Sequence, residues 1–476
     1  MLSRRLRAHG SSALLRLVAS DRTQVTPQAR PMPSILGTIF PIVSSQGFQN
    51  TLHRVAEWLP GRRRVRFFHA LGDPHSHLAL QALPSLLDRF DVDLELVLIG
   101  EDAFSGFGGN TRDVQDWTFN DCKLLQELYQ DLGLTLGTVP GPEAALAAAA
   151  ALAAACPNGG AGAVPLDAEL LDLAISLGRK LWSSQSSPES EAPSESDLSQ
   201  VKKVLQENYE QLAQKHLAGG VMNYRGETYW GIDRLAHLER RLIGAGASRD
   251  AGSQSSAAIF DRTEHLRFEP GAKLGAEAPE VELFYSFRSP YSQLILRDLF
   301  RLCKHYGVAV RIRPVVPMAM RGFDVSKKKV YIIRDFWREM HRLNLNFAAM
   351  NDPLGEPTLR AMRVWPLAEK HGRGQEFLTA WADCVYGQFV AAGTDDGLRR
   401  IVEAAGLSWA EAEVLANGTG LPDFEEQNRR ILYEELKHWG VPCLRFGDVV
   451  LWGQDRLWAL EAAFLRRLAS PAESAK

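Results

Sequence analysis

The chain has 476 residues and a net charge of −3 from 54 Lys and Arg against 57 Asp and Glu, with 45% hydrophobic and 23% charged residues. At about 100 to 200 residues per domain this excludes a single small domain, the composition excludes a largely disordered chain, and the balanced charge argues against a nucleic-acid surface, which needs a basic excess. The five cysteines (Cys122, Cys156, Cys303, Cys384 and Cys443) are odd in number and show no C-x-x-C spacing, which argues against a disulfide framework and for a reduced, cytoplasmic setting.

Residues 1–61 read as an N-terminal helical extension. Arg4, Arg5 and Arg7 precede an apolar run over 13–19 that Arg16 breaks, which spoils it as a signal-peptide core. A mitochondrial transit peptide stays open beside the preferred reading, a basic amphipathic helix lying on the protein. Three low-complexity stretches follow: Ala/Gly-rich 140–165, Ser/Glu/Pro-rich 183–199 and Gly/Ala/Ser-rich 244–258. The uncharged run over 144–156 falls short of the roughly 20 residues that a spanning helix needs, so no membrane anchor is expected. The third stretch has the composition of a flexible coil and opens an interdomain linker over 244–279.

The chain repeats itself. Tyr229-Trp230-Gly231-Ile232-Asp233-Arg234-Leu235 matches Leu451-Trp452-Gly453-Gln454-Asp455-Arg456-Leu457, Gly220-Val221 matches Gly440-Val441, and 65–78 parallels 281–294, all in one order and at nearly one offset. A tandem duplication follows, with domains at 62–243 and 280–469 and a tail at 470–476. The second domain reads in chain order as a strand over 281–287, a helix over 291–306 opened by Ser289-Pro290 and stopped at Gly307, and a strand over 309–316. A helical insertion over 327–406 comes next, with further helical segments to 438. Gly440-Val441-Pro442 then precedes a hairpin, 443–446 and 449–451, turned by Gly447-Asp448, and a helix over 456–468 closes the domain. The order βαβ, helical insertion, ββα is that of a thioredoxin-like fold. The fold class is therefore α/β, two tandem thioredoxin-like domains, each with an inserted helical domain.

The residues that carry chemistry lie in the second domain. Ser289-Pro290-Tyr291-Ser292 follows the first strand, Lys328-x-x-Tyr331-x-x-x-Asp335 lies in the insertion, and Gly440-Val441-Pro442 and Trp452-Gly453-Gln454-Asp455-Arg456 follow. This ordered set resembles the kappa-class glutathione transferases and 2-hydroxychromene-2-carboxylate isomerases of the DsbA-like thioredoxin superfamily. The resemblance implies a glutathione-dependent isomerase or transferase acting on an aromatic or unsaturated small molecule, with reduced glutathione as cofactor and no metal. It implies that Ser289 is catalytic and holds the glutathione thiolate, and that Pro290, Lys328, Val441, Pro442, Gln454 and Asp455 bind glutathione, with Val441-Pro442 as a cis-proline loop.

The residues themselves leave simpler roles open. Ser289 also fits an ordinary N-cap, Asp455 a cap of the last helix, and Lys328 a solvated charge run with Lys327 and Lys329. No asparagine matches the one that the kappa enzymes carry in the loop around Gly322. In the first domain Asp73 stands where Ser289 does, and Met222 where Pro442 does, so this copy reads as degenerate, a scaffold or intramolecular pseudo-dimer partner. A carboxylate there would repel a thiolate. His69, His75 and His77 cluster in sequence, but His75 and His77 cannot share a helix face, so a metal site is disfavoured. Cys443 reads as an inert strand residue. The insertion's aromatics, Tyr331, Phe336, Trp337, Trp365 and Trp381, read as core, with two or three able to line a substrate pocket. Two rival functions remain: a non-catalytic binding or scaffold protein, and a thiol oxidoreductase, which the missing C-x-x-C disfavours.

Overall fold

The structure, a computed structural model, describes residues 62–100, 111–183, 193–210, 219–249, 258–262, 266–322, 329–347 and 350–469. They fall into two compact units: one comprises Lys329–Thr419, and the other lies within Leu52–Lys328 and Gly420–Lys476 and holds both β-sheets.

In the two-sheet unit, β1 (Arg64–His69), α1 (Pro74–Arg89) and β2 (Asp93–Leu98) form a βαβ unit whose strands are parallel. Helices α2 (Thr111–Leu128), α3 (Pro142–Ala155), α4 (Ala168–Leu181) and α5 (Glu195–Tyr209) follow, with a short β3 (Val164–Pro165) between α3 and α4. The alanine-rich stretch is thus a helix, as the high helix propensity of Ala and a Pro in its first turn dictate. The hairpin β4 (Val221–Tyr224) and β5 (Glu227–Trp230) pairs antiparallel with β1, and α6 (Leu235–Gly244) closes the half.

The second sheet repeats this path. β6 (Val281–Tyr285), α7 (Pro290–Leu294), α8 (Leu296–Tyr306) and β7 (Val310–Pro314) form the parallel βαβ unit. The helix expected over 291–306 is divided into two segments at Ile295, which keeps helical angles (φ −73°, ψ −26°). The other compact unit supplies α9 (Lys329–Arg342), α10 (Glu356–Lys370), α11 (Gly374–Trp381), α12 (Asp395–Ala404) and α13 (Trp409–Ala416). Tyr331, Phe336, Trp337, Trp365 and Trp381 are all buried in it. The chain returns through α14 (Asp423–Arg430) to the hairpin β8 (Cys443–Phe446) and β9 (Val449–Trp452), antiparallel to β6, and ends in α15 (Leu457–Ala469). The sheet orders are β3-β2-β1-β4-β5 and β7-β6-β8-β9, so β1 and β6 occupy the same central place.

A central strand paired on both edges and covered on both faces must be apolar almost throughout. Every residue of β6 is buried. Its exception, Glu282, is only 6% exposed and is neutralised by Arg445, directly opposite on β8, and by Arg313, two residues along from its partner on β7.

The linker is clamped where it is described. Asp91 N–H donates to Ala247 O (2.8 Å), which folds the chain after α6 back onto α1. Further on, Glu239 of α6 accepts the backbone N–H groups of Ile259 (3.3 Å) and Phe260 (2.9 Å). Glu461, its counterpart on α15, accepts those of Arg267 (2.6 Å) and Phe268 (2.7 Å). Each half therefore grips the linker with one buried carboxylate. Among the described residues no helix is long and apolar enough to cross a membrane.

Candidate active site

The end of β6 runs through Ser286-Phe287-Arg288 into Ser289, which caps α7 with extended backbone angles (φ −71°, ψ 119°). Its hydroxyl oxygen accepts the Ser292 N–H (3.3 Å), and the hydroxyl donates to the Val441 carbonyl (3.2 Å). The Val441–Pro442 peptide is cis. Two buried residues hold this turn: Tyr285 OH donates to Gln293 Oε1 (2.6 Å), and Gln293 Nε2 donates to the carbonyls of Ser286 (3.3 Å) and Ser289 (3.1 Å). Ser289, Pro290 and Val441 are half-buried and Pro442 is buried, so the hydroxyl sits at the helix start beside the loop carbonyl with partial access to solvent.

The structure thus brings Ser289, Pro290, Val441 and Pro442 together. Lys328 lies outside the described residues. Cys443, the next residue along, is wholly buried, and that burial raises its thiol pKa far above the ordinary range, so it is no nucleophile.

Gln454 and Asp455 are 7% and 6% exposed, and the Asp455 carboxylate is held by two guanidiniums. Arg234 of the first half donates to Asp455 Oδ2 (2.6 Å), and Arg456 lies 3.1 Å from Asp455 Oδ1. Arg456 reaches across in return: it pairs with Asp121 on α2 through two bonds (2.7 and 2.8 Å) and with Asp233 at 3.1 Å. The two Asp-Arg dipeptides of the sequence repeat thereby exchange partners between the halves. The glycine two residues before each aspartate has a physical reason. Gly231 and Gly453 take positive φ (85° and 110°), and a Cβ there would meet the aspartate Oδ1 at 2.8 and 2.6 Å.

Burial pushes the Asp233 carboxyl up to about 6, against the pull of Arg456 and Arg234. A carboxyl raised on folding stabilises the fold fully below its unfolded value, near 3.8, and that contribution is lost as pH rises through about 6. Asp233→Asn is therefore expected to flatten the stability profile between these two values. Urea unfolding at a series of pH values checks this, and parallel profiles for both proteins would contradict it.

In the first half Asp73 takes the place of Ser289. It is fully buried and caps α1 by accepting the Ser76 N–H (2.7 Å). The histidines diverge: His69 meets Ser76 Oγ (2.7 Å), His77 meets Gln81 (3.0 Å), and His75 faces Asp121 (3.9 Å). Sequence reasoning gave no role to Asp121, Tyr285 or Gln293: Asp121 lies in no motif, and the other two lie in the repeated stretch 281–294 without standing among its candidate site residues.

Residues 280–465 match the family described as DSBA-like thioredoxin domain. The 2-hydroxychromene-2-carboxylate isomerase of Pseudomonas putida is 23% identical over 199 residues, which cover 39% of this chain and 94% of that protein. The enzyme of the same name from Sphingobium xenophagum is 25% identical over 196 residues, covering 39% and 97%. A solved structure of 2-hydroxychromene-2-carboxylate isomerase is 21% identical, with a TM-score of 0.35 over 41% of this chain and 99% of that one. A parallel βαβ unit, an antiparallel hairpin on its central strand and a helix opened beside a cis-proline loop thus coincide with the match, and residues 280–465 are a DsbA-like thioredoxin domain.

Proposed function

We propose that the second domain is a glutathione-dependent isomerase or transferase and that the two sheets descend from a tandem duplication whose first copy has lost catalysis. The observation that carries the reading is Ser289: a hydroxyl, not a thiol, at the start of a helix and within hydrogen-bond reach of the cis-proline loop. Free backbone N–H groups and the helix dipole favour an anion at such a place, and the hydroxyl can turn from the Val441 carbonyl to donate to it. With no cysteine at this position, the domain has no dithiol of its own to exchange there.

The residues at the thiol end fit glutathione. Ser289 would hold the thiolate, Pro290 and Pro442 would wall it, and Val441 would pair with the peptide backbone as an added strand does. Bound glutathione supplies a thiol that can add to, and leave, an electrophilic double bond, which is what isomerisation requires. The Asp455 carboxylate is committed to Arg234 and Arg456, so we assign it to the joining of the halves, and Gln454 and Lys328 are left to hold the remainder of the peptide. Asp73 and Met222 support a non-catalytic first domain, since the carboxylate would raise the pKa of any thiol beside it. The same relatives support an aromatic or unsaturated carboxylic acid as the substrate class.

Reduced glutathione at about 100 times its dissociation constant is expected to stabilise the wild type by about 2.7 kcal/mol. Thermal unfolding of the wild type and of Ser289→Ala with and without the tripeptide tests this. A shift in the wild type that shrinks in the variant supports the site. No shift in either protein would sink glutathione dependence and favour the scaffold reading.

A further inference from the structure

The loop that carries the cis peptide is held in part from the first half of the chain. It runs His438-Trp439-Gly440-Val441-Pro442, and His438 is 1% exposed. The imidazole Nδ1 meets both backbone groups of Gly440, the N–H at 3.1 Å and the carbonyl at 3.0 Å. In either tautomer the ring therefore bonds the residue before Val441. Gly440 has no room for a side chain of its own: a Cβ there would meet Trp452 Nε1 at 2.9 Å.

Three indoles surround this imidazole. Trp439 stacks on it at 4.5 Å and 22°, Trp452 lies 5.2 Å away at 54°, and Trp117 lies 4.4 Å away at 58°. Trp439 and Trp452 belong to the second half, whereas Trp117 comes from α2 of the first. Val114, Trp117 and Asp121 follow one another at steps of three and four residues and so share one face of that helix. The face packs Val114 and Trp117 into the cluster around Trp439 and presents Asp121 to Arg456.

Burial pushes the His438 imidazole down to about 3, so the ring is neutral near pH 7. A leucine would fill the space among the indoles as well, but it could not bond Gly440. The next residue is the one that matters at the site, since the Ser289 hydroxyl donates to the Val441 carbonyl (3.2 Å). We propose, on the reading of Ser289 as part of a glutathione site, that the first half sets the geometry of that site: Trp117 holds His438 against Gly440, and His438, a positioning residue, thereby fixes the Val441 backbone with which the tripeptide would pair.

The test measures the affinity of the full chain for reduced glutathione by calorimetry, at a temperature where every variant is folded, together with hydrogen exchange at the Gly440 amide. His438→Leu keeps apolar volume but loses the bond, and should weaken glutathione about tenfold. His438→Asn places an amide where Nδ1 stands and should restore affinity to within about threefold of the wild type. Trp117→Leu, at a half-buried position of the other half, should weaken it at least about threefold and accelerate exchange at Gly440. Trp182→Phe alters the core of the first half around His77 and Phe119, and should lower stability while leaving the affinity unchanged. Wild-type affinity in both His438→Leu and Trp117→Leu, unchanged exchange at Gly440 in Trp117→Leu, no rescue by asparagine, or an equal loss in Trp182→Phe would each overturn the positioning role and leave the glutathione site standing. No binding by the wild type would instead overturn the glutathione reading, and this proposal with it.

Discussion

Arg456→Met is expected to destabilise the protein by about 3 to 5 kcal/mol, the usual consequence of removing one partner from a buried ion network. Arg456 is 5% exposed and serves Asp121, Asp233 and Asp455 together. Without it, Asp121 loses both of its guanidinium bonds, and three carboxylates stay buried of which Arg234 pairs two, Asp233 and Asp455. The loss should be largest at neutral pH and shrink on acidification, because protonation removes the uncompensated charge. Urea unfolding at neutral and mildly acidic pH measures both effects. Adding Asp121→Asn and Asp233→Asn to Arg456→Met should recover part of the loss, since the cost lies in stranded charge more than in lost attraction. An unfolding midpoint unchanged in Arg456→Met would show that the exchange between the halves contributes little.

Glu461→Ala carries the second large effect. Its carboxylate accepts from Arg267 N–H, Phe268 N–H and Tyr306 OH (2.8 Å), and it is 2% exposed. Removing it leaves three donors without this acceptor, at about 1 to 3 kcal/mol for each that stays buried and unsatisfied, so a loss of about 3 kcal/mol or more is expected. Glu461→Gln keeps an acceptor oxygen and should fall between the two. Hydrogen exchange at the amides of residues 267 and 268 should accelerate in step with the loss. Protection equal to wild type in Glu461→Ala would mean that the linker is held elsewhere.

What could be read from the sequence depended on whether a signal was local. Ser289 was legible because Ser-Pro after an apolar strand has few uses, and its capping bond to Ser292 is a contact between near neighbours in the chain. The repeated Trp-Gly-x-Asp-Arg motif was legible as a repeat, yet its purpose was not. Arg456 finds Asp121 across 335 residues, and nothing around Asp121 in α2 marks it as a partner. How the linker is held was not legible for a related reason: the groups that pin it beyond the Gly/Ala/Ser-rich stretch are backbone N–H groups, which every residue type carries. Tyr285 and Gln293 escaped notice because a buried hydroxyl and amide that hold a turn leave no pattern of spacing.

The exchange of arginines between the halves has a consequence for how such a protein can change over time. A joint between separate identical chains weakens on dilution, and any substitution in it falls on both sides at once. Here the joined surfaces share one polypeptide, so each always meets the other at the high effective concentration set by the tether. A substitution touches one side alone. The half that carries Asp73 at its helix start can therefore vary there while its Asp233-Arg234 pair goes on bracing the neighbour that carries Ser289.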